Sequence, residues 1–315
     1  MNIIVCKFGG SSLATAEKVE NVANILAQNP ERKCIVVSAP GKAHGNDTKI
    51  TDLLIGIVKK SLNGANAEPD VEEVRKRYAD IYVPLGISQT RVNKILADLQ
   101  KRVGADKSDA DKYRDAIVAS GEDYNARLFA EFLTARGALA EYVSPLEAGL
   151  IVSSHFGNAM YLRDQSDKLC SLKKRFDHAA VVFPGFFGAT AEGDIATFSR
   201  GGSDLTGAIL ADAVDASEYE NWTDVDGIFS ANPKIIPSPA QIKCLTYREM
   251  RELSYMGFNV FHEDAVTPVI RKKIPIRLRN TNNTANPGTL ISSSRQLDSR
   301  SVIGISCKGQ FCCFF

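Results

Sequence analysis

Short, almost wholly apolar runs alternate along the chain with longer stretches in which apolar residues return every three or four positions. Ile3-Ile4-Val5-Cys6 and Cys34-Ile35-Val36-Val37 are of the first kind and predict buried strands. Between them Val19, Val22, Ala23 and Leu26 recur at helical spacing behind Thr15, a side chain suited to cap the helix. Two apolar strands joined by one helix predict a βαβ unit and hence a parallel sheet.

From Thr48 to about Arg136 the apolar runs give way to helical spacing, at Ile50–Leu62, Val71–Tyr82, Arg91–Val103 and Asp111–Ala135, the last interrupted at Gly121. Strand patterns then return at Ala140–Val143, weakly at Leu150–Ser153, and strongly at Ala179–Phe183, which runs into the glycine-rich Pro184-Gly185-Phe186-Phe187-Gly188. Asp194–Phe198 reads as a short strand, and a helix with Leu205, Ala208, Ile209 and Ala213 on one face follows it. Tyr219–Thr223 and Ile276–Leu278 read as strands, with helices near Thr246–Met256 and Glu263–Lys272. No internal repeat is present. The alternation predicts a three-layer α/β/α sandwich with a mostly parallel sheet and a helical insertion over about 48–136. Ligands of such sheets gather at the carboxyl ends of the strands, where the loops at Lys7, Ser38, Pro184 and Thr223 would lie.

Composition narrows the classes. The 315 residues are 44% hydrophobic and 24% charged with a formal net charge of +1, which fits a globular α/β chain and supplies no overall field for nucleic acid or membrane. The apolar run at Ala179–Ala191 is broken by Pro184-Gly185 and falls short of a membrane span. Only four apolar residues precede Lys7, too few for a signal peptide. Cys6, Cys34, Cys170, Cys244, Cys307, Cys312 and Cys313 show no metal-ligand spacing, and a reducing cytoplasm is the expected compartment. His44, His155, His178 and His262 have no partner at ligand spacing, so no metal site of the chain's own is expected.

The candidate chemistry sits in the loops. Lys7-Phe8-Gly9-Gly10-Ser11-Ser12 joins a strand to a helix through a glycine pair beside a full positive charge. That geometry presents N–H groups to an anion, although it also suits an ordinary turn with a surface lysine. The lysine precedes the glycines, so this is not a Walker loop. Arg200-Gly201-Gly202-Ser203-Asp204 opens a second helix with an arginine fork, a glycine pair, a hydroxyl that can cap and an acid; simple capping by Ser203 or Asp204 is the alternative. Two such helix starts at one sheet edge suit a polyphosphate. Glu122, beside a helix break, reads on its own as a solvated helix-end acid. Thr223-Asp224-Val225-Asp226-Gly227 has alternating acids but lacks the other ligands of a calcium loop, and a strand-end turn touching a nucleotide fits it better.

Taken together, these segments resemble aspartate kinases. Lys7–Ser12, Ser38-Ala39-Pro40-Gly41, Ser120-Gly121-Glu122, Ser199–Asp204, Trp222–Ile228, Met256–His262 and Asn286-Pro287-Gly288-Thr289 occur in that family's order and spacing, over residues 3 to about 292. The resemblance implies the amino acid kinase fold, shared with carbamate, glutamate, acetylglutamate and uridylate kinases. It implies transfer of the ATP γ-phosphoryl group, with Mg2+, to the side-chain carboxylate of L-aspartate, the first step towards lysine, threonine and methionine. An ionised carboxylate is already a nucleophile at pH 7, so no catalytic base is required. By carry-over, Lys7 would neutralise the transferring group while Gly9, Gly10 and Ser11 cradle phosphate. Gly201, Gly202, Ser203 and Asp204 would hold phosphate or its magnesium. Arg200 would grip the substrate α-carboxylate, Glu122 the ammonium, and Ser38, Thr48 and Phe186 would complete that pocket. Thr223, Asp224, Phe229 and Lys234 would face the nucleotide.

The chain departs from the family pattern at Phe229, where tyrosine is common, and at Asn232-Pro233-Lys234, where Asp-Pro-Arg is common. Asn259 replaces a lysine, and Glu263 a proline. The expected kinase unit spans 1–292, and 293–315 reads as a linker and the first strand, Val302–Ser306, of a shortened ACT-like region. A homodimer weakened by that shortening and an absence of lysine feedback are the corresponding expectations. A non-catalytic nucleotide- or amino-acid-binding regulator, and a same-fold kinase for another carboxylate or carbamate, are the competing functions.

Overall fold

The computed structural model describes residues 2–199, 201–232, 235–255, 263–296, 303–308 and 311–314. The first apolar run forms β1 (Ile4–Phe8), every residue of it buried, and α1 (Ala16–Ala27) leads to β2 (Arg32–Val37), parallel to β1. Thr15 caps α1 as its position predicts, its hydroxyl accepting from the Lys18 N–H at 3.3 Å. A 3-10 turn at Gly10–Leu13 intervenes where the pattern suggested only a loop.

The insertion supplies α2 (Ile50–Leu62), α3 (Glu68–Tyr82), α4 (Gln89–Val103), α5 (Ala110–Val118) and α6 (Ser120–Ala135). The break between α5 and α6 falls at Ala119, and Gly121 lies within α6 rather than interrupting it. Gly121 is small for a packing reason: a Cβ there would stand 2.9 Å from the Ala39 Cβ and 3.2 Å from Leu54 Cδ1. β3 (Ala140–Tyr142), α7 (Pro145–Ala148), β4 (Ala180–Pro184), β5 (Phe187–Ala189) and β6 (Ile195–Thr197) follow. Leu150–Ser153 is not a strand; Ile151 and Val152 make isolated bridges to Ala189 and Tyr161. The last part comprises α8 (Gly202–Ala213), β7 (Glu218–Thr223), β8 (Cys244–Thr246), α9 (Tyr247–Tyr255), α10 (Thr267–Lys272), β9 (Ile276–Asn280) and β10 (Thr289–Ser292). β11 (Ile305–Lys308) pairs with β12 (Phe311–Phe314) in an antiparallel hairpin.

Eight strands form the main sheet in the order β3-β4-β2-β1-β7-β9-β10-β8. Pairing is parallel except between β9 and β10, so the sheet is mostly parallel, as the alternation predicts. β8 and β10 escape a sequence reading because each is short and half polar. Period-two alternation sends side chains to two cores. Cys6, Phe8, Ile35, Val37, Val182 and Trp222 pack with residues of α1 to α6. Val5, Cys34, Val36, Val181, Phe183, Tyr219 and Leu278 pack with α8 and α10. The insertion together with α1 is thus one layer of the sandwich. Among the described residues no helix is long and apolar enough to cross a membrane. Arg200, Lys234, the Met256–His262 segment with Asn259, and Val302 lie outside the described residues.

Candidate active site

β4, β2, β1 and β7 are neighbours running in one direction, so the loops that follow them meet at one sheet edge. There the backbones of two loops touch. The Gly41 N–H donates to the Gly10 carbonyl at 2.8 Å. A Cβ on Gly10 would lie 2.5 Å from the Ala39 carbonyl oxygen, and one on Gly41 would lie 2.8 Å from the Gly10 carbonyl carbon. Both positions therefore require glycine. Arg77 of α3 fastens the far side of the second loop: it donates to the Gly41 carbonyl at 3.1 Å and the Thr48 carbonyl at 3.5 Å, and pairs with Asp47.

α8 faces this loop pair. Its N-cap is Gly201 at φ +83°, a left-handed conformation suited to glycine, and no side chain caps it. Capping by Ser203 or Asp204 is therefore corrected: both lie in the first turn, leaving the initial N–H groups to an external acceptor. The Asp204 carboxylate turns to the sheet, where Oδ1 receives Lys7 Nζ at 2.6 Å and Asn221 Nδ2 at 2.9 Å. Lys7 and Asn221 are register partners on β1 and β7. The loop after β4 closes on the same turn, since a Cβ on Gly185 would stand 2.6 Å from Ser203 Oγ. Phe186 holds φ at +79°, costly for an aromatic residue. Its N–H donates to Thr206 Oγ1 at 3.1 Å, and its carbonyl accepts from the Phe198 N–H at 2.8 Å.

Glu122 is not the solvated acid its flanks suggest. It is 5% exposed in the first turn of α6, its Oε1 accepting from the Ala39 N–H at 3.0 Å. Oε2 is buried without a hydrogen-bond partner, and burial pushes the carboxyl pKa up to about 7. Asn125, one turn on, donates to the Ser38 carbonyl at 2.7 Å, so α6 holds both the carbonyl and the N–H of the peptide between Ser38 and Ala39.

On the other side, the Thr223 carbonyl accepts from the Thr281 N–H at 2.9 Å, and the Thr281 hydroxyl meets Ser12 Oγ at 3.0 Å. The Gly9 N–H is already given to the Trp222 carbonyl at 3.2 Å, leaving Gly10 and Ser11 as the amides that start the 3-10 turn. Asp224 is exposed and accepts from the Thr223 hydroxyl at 3.2 Å. Asp226 accepts from Asn280 and Asn283, and among the described residues no group of three His, Cys, Asp or Glu side chains is placed to hold a metal. Phe229 bridges Gln241, and the Thr48 N–H donates to Asp47.

Beneath the strand ends Glu220 accepts from Cys6, Arg32, Trp222 and Arg279, while the two guanidinium groups lie over the Trp222 ring at 5.1 and 4.6 Å. Sequence reasoning missed this network, and with it Arg77, Thr281 and Asn221. Asn221 alone carried a signal, as a polar residue in a run patterned as a central strand.

The model of the amino acid kinase family matches residues 2–280. Aspartokinase 3 of Bacillus subtilis is 46% identical over 99% of this chain and 68% of its own length. The crystal structure of Clostridium acetobutylicum aspartate kinase superposes with a TM-score of 0.83 at 37% identity, over 96% of this chain and 66% of that one. Escherichia coli aspartokinase III, solved in complex with lysine and aspartate, gives 0.84 at 25% identity, over 96% and 67%. The chain spans about two thirds of the length of each of these relatives. It belongs to the amino acid kinase family and, within that family, to the aspartokinases.

Proposed function

We propose that this chain catalyses ATP-dependent phosphorylation of the L-aspartate side-chain carboxylate, yielding an acyl phosphate, with a kinase unit spanning about 1–292. The observation that carries this is the Lys7–Asp204 pair set between two glycine-lined helix starts. The acceptor needs no deprotonation, so the protein's work is to align carboxylate and phosphoryl in line and neutralise the charge that moves between them. Lys7 does the second as its ammonium passes from Asp204 to the transferring oxygens. The amides of Gly10, Ser11, Gly202 and Ser203 hold phosphate oxygens, and Thr223, Asp224, Phe229 and Lys234 line the nucleotide side.

Magnesium is bound by proteins through one or two carboxylates plus substrate phosphates, which fits the single carboxylate of Asp204 with the Ser203 hydroxyl. Bound there, it would supply neutralisation of phosphate charge. On the acceptor side, the unpartnered Oε2 of Glu122 takes the substrate ammonium, and Ser38, Thr48, Phe186 and Arg200 complete the pocket, with Arg200 on the α-carboxylate. The solved E. coli relative with bound aspartate supports this choice of acceptor.

A hydroxylamine trap for acyl phosphate, run with magnesium-ATP and aspartate, glutamate, carbamate or no acceptor, tests the reading. Product with aspartate alone is expected. Product with another acceptor only would reassign the substrate, and none with any acceptor would leave a binding protein.

A further inference from the structure

We infer that Asn221 is a positioning residue that holds Asp204 in place while Lys7 moves off it to the phosphoryl group; this rests on the reading of the Lys7–Asp204 pair given above. Asn221 lies inside β7, a central strand, and is 3% exposed. Asparagine is disfavoured in strand interiors, and a buried amide needs partners, so its presence there calls for a polar counterpart. That counterpart is Asp204 Oδ1, at 2.9 Å from Asn221 Nδ2. The same oxygen receives Lys7 Nζ at 2.6 Å. Two residues further back on the same face, the Tyr219 hydroxyl donates to the Asp204 main-chain carbonyl at 3.1 Å. β7 thus grips Asp204 by side chain and main chain while β1 supplies the cation.

The consequence appears when phosphate enters. An ammonium shared between a carboxylate and a phosphoryl group neutralises the second only as far as the first lets it go. With no other donor on Oδ1, the Asp204 carboxylate would rotate with the departing ammonium and keep quenching its charge. Asn221 offers a neutral N–H from a rigid strand, so Oδ1 keeps a partner and stays in place as Lys7 leaves it. The device acts in the transition state and has little effect on ground-state binding of the acceptor.

The test is a double-mutant cycle with Asn221→Leu, which keeps the branched shape and removes the donor, and with Lys7→Ala. Asn221→Leu is expected to lower kcat about 10- to 100-fold with KM for aspartate within about twofold. In the Lys7→Ala background it should lower kcat no further, because its effect runs through Lys7. Asn221→Ser, whose hydroxyl is too short to reach Asp204, gives the same result if the leucine variant fails to fold. Full kcat in a folded Asn221 variant, or losses that multiply in the double variant, would overturn the proposal. A Lys7→Ala enzyme with full kcat would instead remove the site reading on which it stands.

Discussion

The main-chain N–H of Ala39 donates to Oε1 of Glu122 at 3.0 Å, joining the loop after β2 to the first turn of α6. The other carboxylate oxygen is buried and unpartnered, and burial raises the pKa from 4.5 to about 7. Below pH 4.5 the group is neutral folded and unfolded; between 4.5 and 7 only the folded form keeps its proton. The native state is therefore stabilised relative to an ionised Glu122 at low pH, and that stabilisation is lost as pH rises through 7. Denaturant unfolding of the wild type against Glu122→Gln should show a relative loss of about 3 kcal/mol from pH 4 to pH 8. A flat difference would show that the Glu122 pKa is the same in the folded and unfolded states. Since an ammonium favours the charged form, KM for aspartate should fall as pH rises through 7 in the wild type and not in Glu122→Gln.

Lys7→Ala should cut kcat by roughly two orders of magnitude or more with aspartate binding largely kept, as for removal of one preorganised charge. Arg200→Ala should mainly raise KM for aspartate. Steady-state kinetics on both variants decide the orientation of the site. Exchanged phenotypes would mean that the phosphate and acceptor ends are reversed.

Gly10→Ala forces a methyl to within 2.5 Å of the Ala39 carbonyl oxygen and 3.1 Å of the Gly41 N–H. Neither is a flexible side-chain tip, so the loops must part. A stability loss of about 1–3 kcal/mol and a kcat lowered at least tenfold are expected, read by urea unfolding and the hydroxylamine trap. Gly64→Ala, at φ +70° in open space, tests the other constraint and should cost stability without touching kcat.

Glu220 lies 3% exposed by side chain, in an ion pair with Arg32 at 2.8 Å; against the upward push of burial, the hydrogen bond and charge of Arg32 hold its carboxyl below the usual glutamate range. Burial alone would raise that pKa. Glu220→Gln leaves the buried Arg32 and the half-buried Arg279 guanidinium groups without their anion and should cost about 3–5 kcal/mol. Because the folded pKa is depressed, the stabilisation by Glu220 is full above the unfolded value and lost as pH falls through the folded one. An unfolding midpoint equal to the wild type would show that the network is dispensable.

The sequence by itself determined the layers, the parallel sheet and the glycine loops at the strand ends, because each rests on local physics. Apolar runs such as Ile3–Cys6, helical spacing such as Val19–Leu26, and glycine pairs at strand ends need no distant partner to be read. What only the tertiary structure decided are the properties set by burial and by residues far apart in the chain. Gly121 looked like a helix break and proved to be a contact under Ala39 and Leu54. Glu122 looked solvated and proved to be buried, because the loop after β2 folds over it. Asp204 could be read as an acid in the first helical turn, but its partners Lys7 and Asn221 lie on two strands that the chain brings beside α8 only once the sheet has formed. A carboxylate's role follows from the charges and donors that surround it in space, and spacing along the chain does not encode those.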